Sequence, residues 1–313
     1  MDKHGTYIIG VDIGGTHISS AVVDTQRKMI LEHTYSTNHV ANLEPFESIM
    51  ELWGSTLNRT IDAANPLPIK GIAFAIPGPF NYRDGIALYP EGFKYGALYG
   101  IGIEQTLSSL LEYPKRLPIR FLNDATSFAV GEAWLSEEEG HHRQLCITLG
   151  TGLGAGFVAD GIPVVHGALV PENGCLWNLP YRDGIADDYF STRGCINAYY
   201  DLTGRTATGV KQLANAYSSD FSAQKVFADF GKELGDFLAP KLTMFKADAL
   251  VLGGNISKAY ACFGQELQTS LNENGISLPI RISNHMEKAA IMGCTRIFEP
   301  HFWKGVRNNL PVL

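Results

Sequence analysis

Two glycine-rich turns and one carboxylate carry the chemistry this sequence offers. Near the N-terminus, VDIGGTHISSAVVD (Val11–Asp24) places Asp12, Gly14, Gly15 and Thr16 between apolar runs. Further on, ITLGTGLGAGFVADG (Ile147–Gly161) repeats the theme with Gly150, Thr151, Gly152 and Gly154. Glycine lets backbone approach a ligand closely, and such turns aim N–H groups into a concavity that suits phosphate oxygens. The two threonines add hydroxyl donors. Asp12 conflicts with a phosphate unless a cation lies between them, and Mg²⁺, bound partly through water, resolves the conflict. One such turn alone reads better as an ordinary β-hairpin. Two of them, with Gly253-Gly254 closing the buried run ADALVLGGN, disfavour that reading.

The catalytic candidate is Asp124, in FLNDATSFAVGEAW. It falls where a buried strand hands over to a helix, at the carboxyl end where ligands of α/β proteins collect. A carboxylate there can take the proton of a hydroxyl attacking a γ-phosphate. It can equally cap the helix, and taken alone capping is the better reading. No GxxxxGK[ST] phosphate loop is present. GTGLGA (Gly150–Ala155) satisfies GxGxx[GA], but the adjoining AGFVADG reads as a strand and not as the helix a dinucleotide fold requires.

The elements that must position these residues form two similar halves. YIIGVDIG, HISSAVVD and KMILEHTYST read as strands. Leu43 to Ala64 has helical spacing, with Phe46, Ile49, Met50, Trp53, Leu57 and Ile61 along one face. KGIAFAIPG is a strand buried on both sides, Ile103 to Glu112 a helix, PIRFLND a strand and Ala125 to Ser136 a helix. QLCITLG and AGFVADG then restart the strand–turn–strand theme. Helices come next at 208–217, 222–245 and 256–274, with strands ADALVLGGN and PIRIS between and after them and a closing helix over 288–298. The expected domains are residues 1–122 plus 297–313, and 123–296.

Composition narrows the class. The 313 residues, 45% hydrophobic and 18% charged with 33 glycines, suit a globular α/β protein. A net charge of −7 without Lys/Arg blocks argues against a nucleic-acid partner. Five scattered cysteines without a CxxC pair suggest reduced thiols. The N-terminus lacks a signal-peptide apolar region, and no run is long enough to span a membrane. A cytoplasmic protein is expected.

Taken in order, VDIGGTHISSAVVD, AIPGPF, LNDATSFAVGEAW, ITLGTGLGAGFVADG and VLGGN resemble the pattern of the ROK sugar kinases over nearly the whole chain. The resemblance implies an α/β, two-domain actin-like ATPase (ribonuclease H-like) fold with a cleft between the domains. It implies that Asp12, Gly14, Gly15 and Thr16 form the first phosphate motif, with Asp12 facing Mg²⁺ through water. Gly150, Thr151, Gly152 and Gly154 would form the second, and Gly253, Gly254 and Asn255 would hold the nucleoside. Asp124 becomes the catalytic base rather than a cap. Asn123, Glu172, Glu91 and Gly78 become the sugar-side candidates. ATP and Mg²⁺ are the implied cofactors, and a homodimer is expected.

The departures are as informative. The family's E-x-G-H becomes Glu172-Asn173-Gly174-Cys175, and its cysteine cluster shrinks to Arg193-Gly194-Cys195-Ile196-Asn197. Cys175 and Cys195 are too few for a closed zinc site, and His166 and the His141-His142 pair read as bystanders, so no structural zinc is expected. DYFSTRG (Asp188–Gly194) resembles the segment of zinc-free relatives. Glu91 stands where the family has an amide, and Asn197 where it has a second glutamate. The leading reading is an ATP-dependent hexose or N-acylhexosamine kinase. The alternatives are a non-catalytic sugar-binding or regulatory ROK protein, a repressor, for which the residues before the first strand leave no helix-turn-helix, and a polyphosphate-using variant, for which no basic groove is visible.

Overall fold

The computed structural model describes residues 5–15, 17–40 and 44–312. The chain divides into two compact units, residues 1–138 with 287–313, and residues 139–286. In chain order the first contains β1 (Tyr7–Ile13), β2 (His17–Asp24), β3 (Met29–Ile30), β4 (Ser36–His39), α1 (Phe46–Ala64), β5 (Ile69–Ile76), β6 (Ile119–Asn123) and α2 (Asp124–Leu135). The second contains β7 (Arg143–Leu149), β8 (Leu153–Ala159), β9 (Ile162–Pro163), α3 (Thr192–Thr203), α4 (Phe221–Phe245), β10 (Ala249–Gly253), α5 (Tyr260–Glu273) and β11 (Ile280–Ile282). The chain then returns to the first unit with α6 (Glu287–Thr295) and α7 (Pro300–Val306).

Both sheets have the same topology. The first runs β3-β2-β1-β5-β6, with β4 also on β2; the second runs β9-β8-β7-β10-β11. In each, an antiparallel hairpin is extended by two parallel strands. The register sets the functional edge. Asp12 pairs with Ala75, and Ile76 pairs with Asn123, so β1, β5 and β6 end along one carboxyl edge. In the second unit Gly253 pairs with Thr148, which brings the exit of β10 beside the glycine turn after β7.

Helix α1 forms as its spacing predicts, burying Ile49, Met50, Trp53, Leu57 and Ile61; Leu43, the expected start, lies outside the described residues. The strand expected over KMILEHTYST is instead β3 and β4 separated by a short 3₁₀ turn at Glu32–Thr34. Thr34 breaks it, because its hydroxyl accepts the Val22 N–H at 2.8 Å and donates to the Leu31 carbonyl at 2.7 Å. The helix expected over 103–112 stops at Ser108. Gly150–Ala155 leads into β8, as its pattern predicts.

The unit boundaries differ from the expected 122/123 and 296/297. Helices α2 and α6 both pack into the first unit, because glycines let their backbones meet. A Cβ on Gly131 would stand 1.9 Å from the Ala289 carbonyl oxygen, and one on Gly293 2.0 Å from that of Ser127. Likewise a Cβ on Gly10 of β1 would stand 2.1 Å from the Ile291 carbonyl. Residues Ala125 to Trp134 are all buried, so α2 has no polar face to mark it from sequence. Gly293→Ala is therefore expected to lower stability by about 2–3 kcal/mol through overpacking. A urea unfolding curve checks this, and a change below about 0.5 kcal/mol would mean the helices can separate without strain. Among the described residues no helix is long and apolar enough to cross a membrane.

Candidate active site

The carboxyl edge of the first sheet delivers Asn123 and Asp124 together. Asn123 is the N-cap of α2: the Thr126 N–H donates to its Oδ1 at 3.0 Å, and the Thr126 hydroxyl adds a second bond at 3.3 Å. The capping role that Asp124 taken alone would suit thus falls to its neighbour, and Asp124 is the first helical residue. The Asn123 amide donates to Asp124 Oδ1 at 2.9 Å and to the Tyr82 hydroxyl at 3.1 Å. Tyr82 in turn donates to the Ile76 carbonyl at 3.0 Å. Asn123 is therefore engaged at both ends of its side chain. Asp124 is partly buried. Burial raises its pKa above the ordinary carboxylate value, opposed by the N–H groups at the helix start and by Asn123.

Asp12, near the end of β1, is only 8% exposed. Burial pushes its carboxyl up from 3.8 to about 7; the negative charge of Asp124 adds to this, His17 opposes it, and Glu287 adds a little more. His17 Nε2 lies 2.9 Å from Glu287 Oε2, and the Tyr35 hydroxyl donates to Glu287 Oε1 at 2.6 Å. The bond to Glu287 raises the His17 pKa. Ligand atoms of Asp12, His17 and Glu287 lie within 4.8 Å of one another, the one such trio among the described residues. The donor set fits a hard cation: two carboxylates supply oxygen, and a buried carboxylate that retains its proton to about pH 7 gains from a positive neighbour. His17 and Glu287 were missed by sequence reasoning. His17 carried a faint signal, following the first turn directly, whereas Glu287 lies 270 residues away.

The first glycine turn is held from its own unit. The Gly14 N–H donates to the His17 carbonyl at 2.9 Å. Tyr95 donates its hydroxyl to the Gly14 carbonyl at 2.9 Å, and the Lys94 ammonium donates to the Gly15 carbonyl. Thr16 lies outside the described residues. Gly78 is exposed just after β5, and Glu91 is exposed in the loop leading to Lys94. The stretch between them is anchored by the Tyr89 hydroxyl on the Pro77 carbonyl at 2.7 Å.

In the second unit Gly150, Thr151, Gly152 and Gly154 form the turn between β7 and β8. The Gly150 N–H donates to the Gly152 carbonyl at 3.0 Å. Gly254 adopts φ +78°, and a Cβ there would stand 2.4 Å from the Leu149 carbonyl, so glycine is required where β10 exits against the turn. Gly253 and Gly254 thus meet the turn. Asn255 is exposed and accepts from the Lys258 ammonium at 2.9 Å. Two residues that sequence reasoning missed also clasp it. Asp187 Oδ1 accepts the Leu153 N–H at 2.7 Å, and the Thr192 N–H and hydroxyl reach the Gly150 carbonyl at 2.8 and 2.9 Å. Asn197 is exposed on α3. Glu172 is exposed at the start of a 3₁₀ turn, Cys175 is half-buried and Cys195 buried.

Residues 8–300 match the ROK family. The chain is 26% identical to an N-acetyl-D-glucosamine kinase of Haemophilus influenzae, over 92% of this chain and 98% of that one. Its fold is similar to that of the ROK hexokinase of Thermus thermophilus, with TM-score 0.76 and 21% identity, covering 92% and 96% of the two chains. It is also similar to a ROK family glucokinase of Streptomyces griseus in complex with glucose and AMPPNP, with TM-score 0.71 and 21% identity, covering 93% and 98%. The chain belongs to the ROK family and has its actin-like ATPase fold.

Proposed function

We propose that this protein is an ATP-dependent sugar kinase acting on a hexose or an N-acylhexosamine. The observation that carries the proposal is the state of Asp124. It stands at the carboxyl end of β6, its capping duty is taken by Asn123, and one oxygen is steadied by the Asn123 amide. Lone pairs remain for a substrate hydroxyl, and burial makes the carboxylate a better proton acceptor than a solvated one.

In the proposed step the sugar oxygen forms a bond to the γ-phosphorus while the bond to the β–γ bridging oxygen breaks. The hydroxyl proton passes to Asp124, and ADP leaves with the bridging oxygen. The amides of Gly15, Gly152 and Gly154 and the hydroxyls of Thr16 and Thr151 are the phosphate donors of this reading, while Gly14 and Gly150, whose N–H groups close onto the His17 and Gly152 carbonyls, shape the two turns. Asp12 would hold Mg²⁺, with Glu287 as the neighbouring oxygen donor, and the ion would supply charge neutralisation for the phosphates. Gly253, Gly254 and Asn255 accommodate the nucleoside. Glu172, Glu91 and Gly78 contact the sugar, and Asn123 does so by exchanging one of its internal bonds. The kinase names of the Haemophilus influenzae and Streptomyces griseus relatives support this reading, as does the AMPPNP held by the latter. The working form is a cytoplasmic homodimer, which sedimentation of the purified protein would test.

The deciding experiment is a coupled ADP-release assay with Mg-ATP against N-acetylglucosamine, N-acetylmannosamine, glucose, mannose and fructose. Sugar-dependent turnover is the expected result. No turnover on any sugar, with a sugar nevertheless raising the melting temperature, would replace the kinase by a non-catalytic sugar-binding protein.

A further inference from the structure

Lys94 reaches back from the loop after Glu91 to the first glycine turn. Its ammonium donates to the Gly15 carbonyl and, at 3.0 Å, to the Val40 carbonyl. The adjacent Tyr95 holds the Gly14 carbonyl and is itself wedged edge-on against Trp53, with ring centroids 5.8 Å apart. The Lys94 ammonium also lies 5.4 Å from the centre of the Tyr95 ring.

This arrangement does two things to the turn. The Gly14 carbonyl and the Gly15 N–H belong to one planar trans peptide and point in opposite directions. Holding that carbonyl against Tyr95 therefore aims the Gly15 N–H away from Tyr95. Secondly, an ammonium has three donors, and among the described residues two of them go to neutral carbonyls. Carbonyls solvate the charge without neutralising it, and partial burial lowers the Lys94 pKa.

We propose that Lys94 is a phosphate-binding residue: its charge and third N–H go to an oxygen of the nucleotide's terminal phosphates, on the turn whose peptide Tyr95 holds in orientation. The inference rests on the kinase reading and adds to it a cation supplied by the loop that also carries Glu91. The same contact stays in place through phosphoryl transfer, where charge on the departing oxygens grows.

Binding measurements test it without a known sugar. Calorimetry would compare Mg-AMPPNP and AMP on the wild type, Lys94→Met, Lys94→Gln and Lys94→Arg. Gln keeps a donor for the carbonyls and removes the charge, so it separates a phosphate contact from a strut. The expected result is a loss of AMPPNP affinity of about tenfold or more in both Met and Gln variants, the size of one hydrogen bond to a charged group. The salt dependence of that affinity should flatten, AMP binding should be unchanged, and Arg should restore most of the loss. Wild-type AMPPNP affinity in Lys94→Gln would overturn the contact while leaving the kinase reading intact. A wild type that binds neither nucleotide would overturn both.

Discussion

Asp124→Asn is expected to abolish nearly all sugar-dependent ADP release, by about 10²- to 10⁴-fold in kcat, the usual contribution of a positioned general base. Sugar KM should change little, because the amide keeps the shape of the carboxylate. Folding should be spared, since the cap of α2 is Asn123 and not Asp124. This separation gives the prediction its force: a residue that capped the helix would lose stability and activity together. The wild-type kcat/KM profile should also fall on its acidic side at a pH above the ordinary carboxylate range, as burial raises the Asp124 pKa. A mutant that retains more than a tenth of wild-type kcat, folded to the same melting temperature, would move the base elsewhere.

Asp12→Asn should raise stability while also removing activity. In the metal-free protein the Asp12 carboxyl holds its proton to about pH 7, against an ordinary 3.8. Between about pH 4 and pH 7 the unfolded chain has already released that proton while the folded chain retains it. Stability therefore falls as pH rises through this window and stays low above it. At about 1.4 kcal/mol per pKa unit, the ionised carboxylate costs the fold up to about 4 kcal/mol at pH 8. The amide removes that cost, so Asp12→Asn should resist urea better than wild type at pH 8 in EDTA, with the gap closing toward pH 4. Magnesium should narrow the gap by stabilising the wild type alone. A variant less stable than wild type at pH 8 would show that Asp12 is compensated by its neighbours and that no cation is called for. Its kinase activity should be lost in either case, as the carboxylate beside the phosphates is gone.

Much of this architecture was legible because it is written locally. The two hairpins announce themselves by apolar runs around Gly14-Gly15 and around Gly150, Gly152 and Gly154, the turn residues that break each run. The buried runs IKGIAFAI and ALVLG read as central strands because both their faces are apolar. The Asn123-Asp124 pair marked a strand end and helix start, though residue type alone could not say which of the two would cap. That was decided by Tyr82 and Thr126, which turn the Asn123 amide so that its oxygen faces the helix and its nitrogen faces Asp124. The unit boundary was missed at α2 because a helix buried on all sides carries no periodic signal of what it packs against. Sequence by itself thus determined the central strands, the glycine turns and the carboxylates at the strand ends, since each arises from the preferences of neighbouring residues, whereas the break at Glu32–Thr34 needed the Thr34 bond to Val22. Only the tertiary structure decided that Glu287 meets His17 across 270 positions, that Lys94 reaches Gly15 across 79, and that Asp187 holds Leu153 across 34. Each of these pairs forms within its own unit between segments distant in sequence, and no local pattern records where separate elements come to rest.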